Sequence, residues 1–148
     1  MQSKPISISN EYLDVKIDLY GGALNSVICK DNGEQLLWQG DPAAWDRRDL
    51  VLFPFIGRQK DGFYLYGGKS YPVSLHGFAK DMFFSADVVE PNKAVLRLEN
   101  SAETEKSYPF RFSLTLTYAL KGNTLSLTYE VLNLSLIHIS EPTRLGMI

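Results

Sequence analysis

The chain has 148 residues, about one domain's worth, with 45% hydrophobic, 12% aromatic and 22% charged residues and a formal net charge of -2. That balance excludes disorder and offers no basic excess for nucleic acid or an anionic membrane. No stretch approaches the roughly 20 apolar residues that span a bilayer, Met1 to Asn10 lacks the apolar run of a signal peptide, and a single cysteine, Cys29, excludes an intramolecular disulfide. A soluble, cytoplasmic chain is expected.

The dominant period along the chain is two. Ile6 and Ile8 alternate with serines, and Asn10-Glu11 turns the chain. Leu13, Val15, Ile17 and Leu19 predict a second strand, closed by Gly21-Gly22. Leu24 to Cys29 follows, then an Asp31-Asn32-Gly33 turn and a further strand over Gln35 to Trp38. The stretch from Gly40 to Asp61 fits neither strand nor simple turn, and a long irregular segment in a compact β protein is often functional. Phe63–Tyr66 and Ser70–Val73 flank Gly67-Gly68-Lys69, and Phe83–Val89 and Ala94–Leu98 flank Pro91-Asn92-Lys93, each pair reading as a hairpin.

The longest alternation runs from Phe110 through Phe112, Leu114, Leu116 and Tyr118 to Leu120. After Lys121-Gly122-Asn123-Thr124 it resumes at Leu125, Leu127, Tyr129 and Val131, which predicts a long antiparallel hairpin. No window shows a helical period. The expected class is all-β, an antiparallel sandwich or barrel.

Two segments set a polar group among aromatic residues beside a glycine: Leu52-Phe53-Pro54-Phe55-Ile56-Gly57-Arg58 and Leu75-His76-Gly77-Phe78-Ala79-Lys80-Asp81. Arginine presents a planar fork of donors suited to neighbouring hydroxyls, histidine donates or accepts, and glycine lets a ligand approach the backbone. Taken alone, Arg58 reads as a surface residue, His76 as a structural histidine, and Trp45, Phe53, Phe55 and Phe78 as core. Cys29 reads as a packing residue and Asp46-Arg47-Arg48-Asp49 as a solvated charge cluster. No nucleophile-base spacing, zinc ligand set, P-loop or dinucleotide fingerprint is present.

The order Phe-Pro-x-x-Gly-Arg, Lys60-Asp61-Gly62, then His-Gly-Phe-Ala carries a resemblance. Leu37-Trp38-Gln39-Gly40-Asp41-Pro42, Tyr108-Pro109-Phe110 and Gly122-Asn123-Thr124-Leu125 support it. Over about Ile6 to Asn133 the sequence resembles the aldose 1-epimerases, or galactose mutarotase-like proteins, in their LacX-like branch. The resemblance implies a large antiparallel β-supersandwich with a sugar site in an open groove, here a truncated, N-terminal part of it. It implies interconversion of the α and β anomers of a free hexose with no cofactor and no metal. The C1 hydroxyl loses a proton, the ring oxygen gains one, the C1–O5 bond opens and the ring recloses. In that family a carboxylate is the base and a histidine the acid, while an upstream Arg and His hold the sugar. Arg58 and His76 match the upstream pair, which also supports the transition state, and are the implied catalytic and substrate-binding residues, with Phe78 and Asp81 as further substrate-binding residues. The family's second His and its base Glu have no counterpart, and Ile137-His138-Ile139-Ser140 does not match. The expectation is therefore an isomerase by family whose 148-residue chain is itself inactive. A non-catalytic carbohydrate-binding or sugar-sensing domain on the same fold is the alternative.

From Leu134 the string Leu-Ser-Leu-Ile-His-Ile-Ser-Glu-Pro-Thr-Arg resembles the conceptual translation of a sequencing-library adapter. The expected organisation is a mutarotase-like segment over 1–133 and a non-native tail over 134–148. The sequence leaves the sugar and the oligomeric state open.

Overall fold

Alternation along the longest strands produces the core directly. In a strand successive side chains point to opposite faces, so a period of two buries one face. In β8 (Phe112–Lys121) that face carries Phe112, Leu114, Leu116, Tyr118 and Leu120, all buried. Its neighbour β7 (Lys93–Glu99) adds Ala94, Leu96 and Leu98, while Arg97 and Glu99 face solvent. A computed structural model describes residues 4–135.

The described strands form three antiparallel sheets. β1 (Ile6–Ser9), β2 (Leu13–Ile17) and β3 (Leu24–Cys29) make a three-stranded meander. β4 (Phe63–Tyr66) and β5 (Lys69–Pro72) make a lone hairpin. β6 (Ser85–Glu90), β7, β8 and β9 (Thr124–Asn133) form a four-stranded meander in chain order. β8 and β9 pair from Phe112 opposite Asn133 to Lys121 opposite Thr124. Ile8, Val15 and Ile17 from the first sheet join Leu96, Leu114, Leu116 and Tyr118 from the third in one hydrophobic core. Two sheets over a shared core are the layers of a sandwich. Their edges are tied by Ser9 N–H to the Pro91 carbonyl (2.7 Å) and Phe84 N–H to the Leu19 carbonyl (2.8 Å). Among the described residues no helix is long and apolar enough to cross a membrane.

Most predicted strands form, with shifts that local bonding explains. Gly67 and Gly68, both at positive φ, close the β4–β5 turn alone, so Lys69 pairs with Tyr66 instead of belonging to the turn. Lys93 likewise pairs with Glu90. The strand expected over Gln35 to Trp38 does not form. Only an isolated Ile28–Gln35 bridge remains, because the Gln35 side chain accepts the Val27 N–H (2.8 Å) and the Leu37 N–H (3.2 Å). Trp45, expected in the core, is exposed, and its carbonyl accepts the Trp38 indole N–H at 2.8 Å. One short helix, α1 (Ala102–Glu105), was hidden from periodicity by its length and is set by the Ser101–Thr104 capping box. The tail beyond Ser135, His138 included, lies outside the described residues.

Tyr118 ties the two layers: it is fully buried and its hydroxyl donates to the Gly22 carbonyl. Burial, with the charge of Asp49, keeps its phenol protonated well above the ordinary range. Removing that hydroxyl strands a buried acceptor. Tyr118→Phe is expected to destabilise by about 1–3 kcal/mol, and the cavity left by Leu116→Ala by about 2–5 kcal/mol. Urea midpoints check both, and a midpoint unchanged in Leu116→Ala contradicts the core assignment.

Candidate functional site

The two singled-out segments lie side by side, joined mainly through backbone. The Phe53 carbonyl accepts the N–H groups of both Phe78 (2.9 Å) and Ala79 (3.1 Å), and Phe53 bridges Gly77. A Cβ on Gly77 would stand 2.3 Å from the Phe53 carbonyl oxygen, and Gly77 has φ +78°, so only glycine fits. The Phe53–Pro54 peptide is cis. The Phe53 side chain is buried and packs tilted on Phe112 at 5.0 Å between centroids, which roots the junction in the core.

Gly57 and His76 exchange two hydrogen bonds. His76 N–H donates to the Gly57 carbonyl (2.9 Å), and Gly57 N–H donates to His76 Nδ1 (2.8 Å). His76 sits at φ +64°, a conformation that non-glycine residues rarely adopt and that clusters at functional sites. An Nδ1 that accepts carries no proton, so the neutral ring holds its proton on Nε2 and presents it as a donor. Arg58 follows Gly57 directly; it is exposed and has no ion-pair partner among the described residues. The fold thus brings Arg58 and His76 together through Gly57.

Phe78 is half-buried beneath this pair, against Phe53, Tyr108 and Phe112 at 5.9–6.3 Å. It lines a cleft of about 340 Å³ with Gly77, Ser74 and Lys106. Tyr64 braces the far side of the aromatic cluster: its hydroxyl donates to the Ser107 carbonyl (2.7 Å), and burial pushes its pKa up to about 12. Asp81 has other partners. Its carboxylate pairs with Lys80 Nζ (2.6 Å) and Arg47 (3.3 Å), and neither belongs to the Arg58–His76 pair. Partial burial alone acts to raise the Asp81 carboxyl; the hydrogen bond and charge of Lys80, then those of Arg47, outweigh it and hold it below the ordinary value. A second cleft, about 670 Å³, is walled by Arg47, Asp49, Lys80, Tyr20 and Phe83. Arg58 and His76 line neither of these clefts; Arg58 is exposed and His76 half-buried.

The charge run at 46–49 is not a solvated cluster. Arg47 donates to the Lys80 carbonyl (3.0 Å), Arg48 to the carbonyls of Gln39 (3.0 Å) and Asn25 (3.1 Å), and Asp49 accepts the Leu24 N–H (3.0 Å). These side chains hold backbone that no ladder satisfies. Among the described residues no group of three or more His, Cys, Asp or Glu could hold a metal ion.

The two glycines predict opposite tolerance. Gly57 has φ +85° but nothing within 4 Å of a Cβ, so Gly57→Ala meets backbone strain alone, about 1–2 kcal/mol. Gly77→Ala adds a collision with the Phe53 carbonyl and is expected to destabilise by clearly more, read from paired urea melts. Asparagine tolerates positive φ and carries an acceptor oxygen on a short side chain. His76→Asn is therefore expected to retain stability better than His76→Leu, and equal losses contradict the Gly57–Nδ1 bond.

Known proteins match most of the chain. A family model described as aldose 1-epimerase matches residues 4–140. The plasmid and chromosomal forms of Protein LacX from Lactococcus lactis subsp. lactis are 31% identical over 134 residues, covering 87% of this chain and 44% of theirs. A galactose mutarotase related enzyme from Lactobacillus acidophilus is 34% identical with a TM-score of 0.87, over 88% of this chain and 44% of that one. A galactose mutarotase-like protein from Lactobacillus casei is 35% identical with a TM-score of 0.85, over 87% and 44%. The chain thus spans less than half the length of these relatives. The three sheets, two of them over a shared core, are the mutarotase-like sandwich in part, and the chain belongs to the aldose 1-epimerase family.

Proposed function

We propose that this chain supplies the sugar-holding part of an aldose 1-epimerase that interconverts the anomers of a free hexose in the cytoplasm. The observation that carries the reading is the pair of bonds between Gly57 and His76, which brings the backbone of Arg58 close to that of His76. Arg58 offers a planar fork to adjacent sugar hydroxyls. His76 offers its Nε2 proton to a sugar oxygen. Phe78, packed on Phe53, Tyr108 and Phe112, stiffens the segment that carries His76. Asp81 contributes through its ion pairs, which fix the turn after Phe78.

The proton bookkeeping supports a holding role for His76. Mutarotation removes a proton from the C1 hydroxyl and delivers one to the ring oxygen while the C1–O5 bond opens. A histidine that gave up its Nε2 proton would need to regain one at Nδ1 to stay neutral, and Nδ1 is occupied by the Gly57 N–H. His76 therefore suits orienting the ring and stabilising charge growing on oxygen, not shuttling protons. A separate acid and base must act on the sugar. No residue of the Arg58–His76 pair fills the base role, so the 148-residue chain is proposed to lack activity.

Polarimetry tests the reading. A polypeptide that carries this sequence through Asn133 and is completed to the length of its relatives is expected to speed the rotation change of fresh α-galactose or α-glucose. Arg58→Ala and His76→Ala are each expected to slow it by about 10²-fold or more, the range for removing one aligned transition-state donor. Unchanged kinetics in both variants would remove the site assignment. Sugar binding with no rotation change would favour a non-catalytic binding domain.

A further inference from the structure

We propose that Arg47 is a positioning residue of the candidate site: it clamps the turn that aims His76 and so sets the direction of the Nε2 donor. The inference rests on the reading of His76 given above.

Three staples join the irregular stretch before β4 to the turn between β5 and β6. Gly57 is bonded to His76, the Phe53 carbonyl holds Phe78 and Ala79, and Arg47 holds Lys80 and Asp81. The first two set the near side of the turn. The third sets its far side, where the 3-10 turn Ala79–Asp81 leaves the Lys80 carbonyl without an intrahelical partner. One guanidinium closes both openings: one arm donates to that carbonyl at 3.0 Å, the other to Asp81 Oδ1 at 3.3 Å. Lys80 Nζ takes the remaining carboxylate oxygen at 2.6 Å.

The same carbonyl is pressed from behind. A Cβ on Gly21 would stand 2.8 Å from the Lys80 oxygen, and Gly21 N–H donates to the Met82 carbonyl at 2.7 Å. The turn therefore has a floor at Gly21, a root at Phe53 and a strap at Arg47. Of these only the strap is a side chain with many rotamers, so it is the one that sequence can tune. Exposed ion pairs add little to stability, and both partners here are well over a third exposed. The value of the fork lies in geometry: a lysine could keep the charge but not both directed bonds.

The full chain, labelled uniformly with 15N, provides the test. In the wild type His76 should show an unprotonated acceptor Nδ1 and a protonated Nε2, with slow exchange at the Gly57 amide. Arg47→Ala is expected to speed Gly57 exchange by about tenfold through local opening. It is also expected to blur the two ring-nitrogen signatures, while Leu116 and Tyr118 amides in β8 keep their protection. Arg47→Lys should fall between the two. Unchanged Gly57 exchange and an unchanged ring signature in Arg47→Ala overturn the proposal. Should Arg47→Ala also lose β8 protection, Asp81→Asn decides, because it keeps the shape and removes only the charge that orients the fork; faster Gly57 exchange supports the strap and an unchanged rate overturns it. Failure of the sugar reading is seen separately, as a wild-type His76 Nε2 resonance that does not move with galactose, whatever Arg47 does.

Discussion

The carbonyl of Phe53 is the point on which the site depends. It accepts two N–H groups while the backbone of Gly77 lies closer than any Cβ would permit. The ring of the same residue is buried on Phe112 in the core. One residue thus joins the sandwich to the site: its side chain to the core, its carbonyl to the functional turn. The neighbouring identities follow. Gly77 gives the close approach, Ala79 fits because its side chain is fully buried, and His76 takes the positive φ that leads into the contact. Substituting Phe53 would therefore disturb chemistry and packing together, whereas Arg58 is free to serve a ligand alone.

How far the sequence reveals this depends on which forces act. Strands were legible because burying one face of a twisted pleat imposes a period of two, and β7, β8 and β9 carry it plainly. Gln35–Trp38 looked like a strand because a short apolar run follows a turn signal, yet a single Gln35 amide captured N–H groups that a ladder needed. Side-chain capture of backbone has no period, so no pattern announces it. Arg47 and Arg48 were misread for the same reason. Their partners are carbonyls far along the chain, and only the fold brings those carbonyls within reach. Arg58 and His76 drew notice through residue type, an adjacent glycine and motif order. Their adjacency in space lies in the Gly57 bond, which no spacing rule contains.

The electrostatics of the pair are unusual in what they leave unused. Arg47, Arg48 and Lys80 are each spent on carbonyls or carboxylates, whereas Arg58 retains its full set of donors among the described residues. A guanidinium left in water is largely screened, so its attraction for a neutral sugar is weak until the site is dried. Ile56, two residues before Arg58, and Leu75, just before His76, are exposed and apolar. Their place at the rim means that closing over a sugar would remove apolar area and strengthen the donors in one step.

The core and the candidate site are therefore carried by different parts of one fold. The core strands hold their positions through buried apolar rows, whereas the His76 turn is held by about a handful of backbone bonds and one exposed guanidinium. Regions with few buried apolar contacts open locally well before the whole domain unfolds. A fixed donor built on such a segment needs its geometry imposed from several directions, since packing alone does not impose it. Three staples from one irregular stretch provide that. This fits the lack of regular structure in the stretch: a strand would spend its backbone carbonyls and N–H groups on a ladder, and fewer would remain to hold the turn.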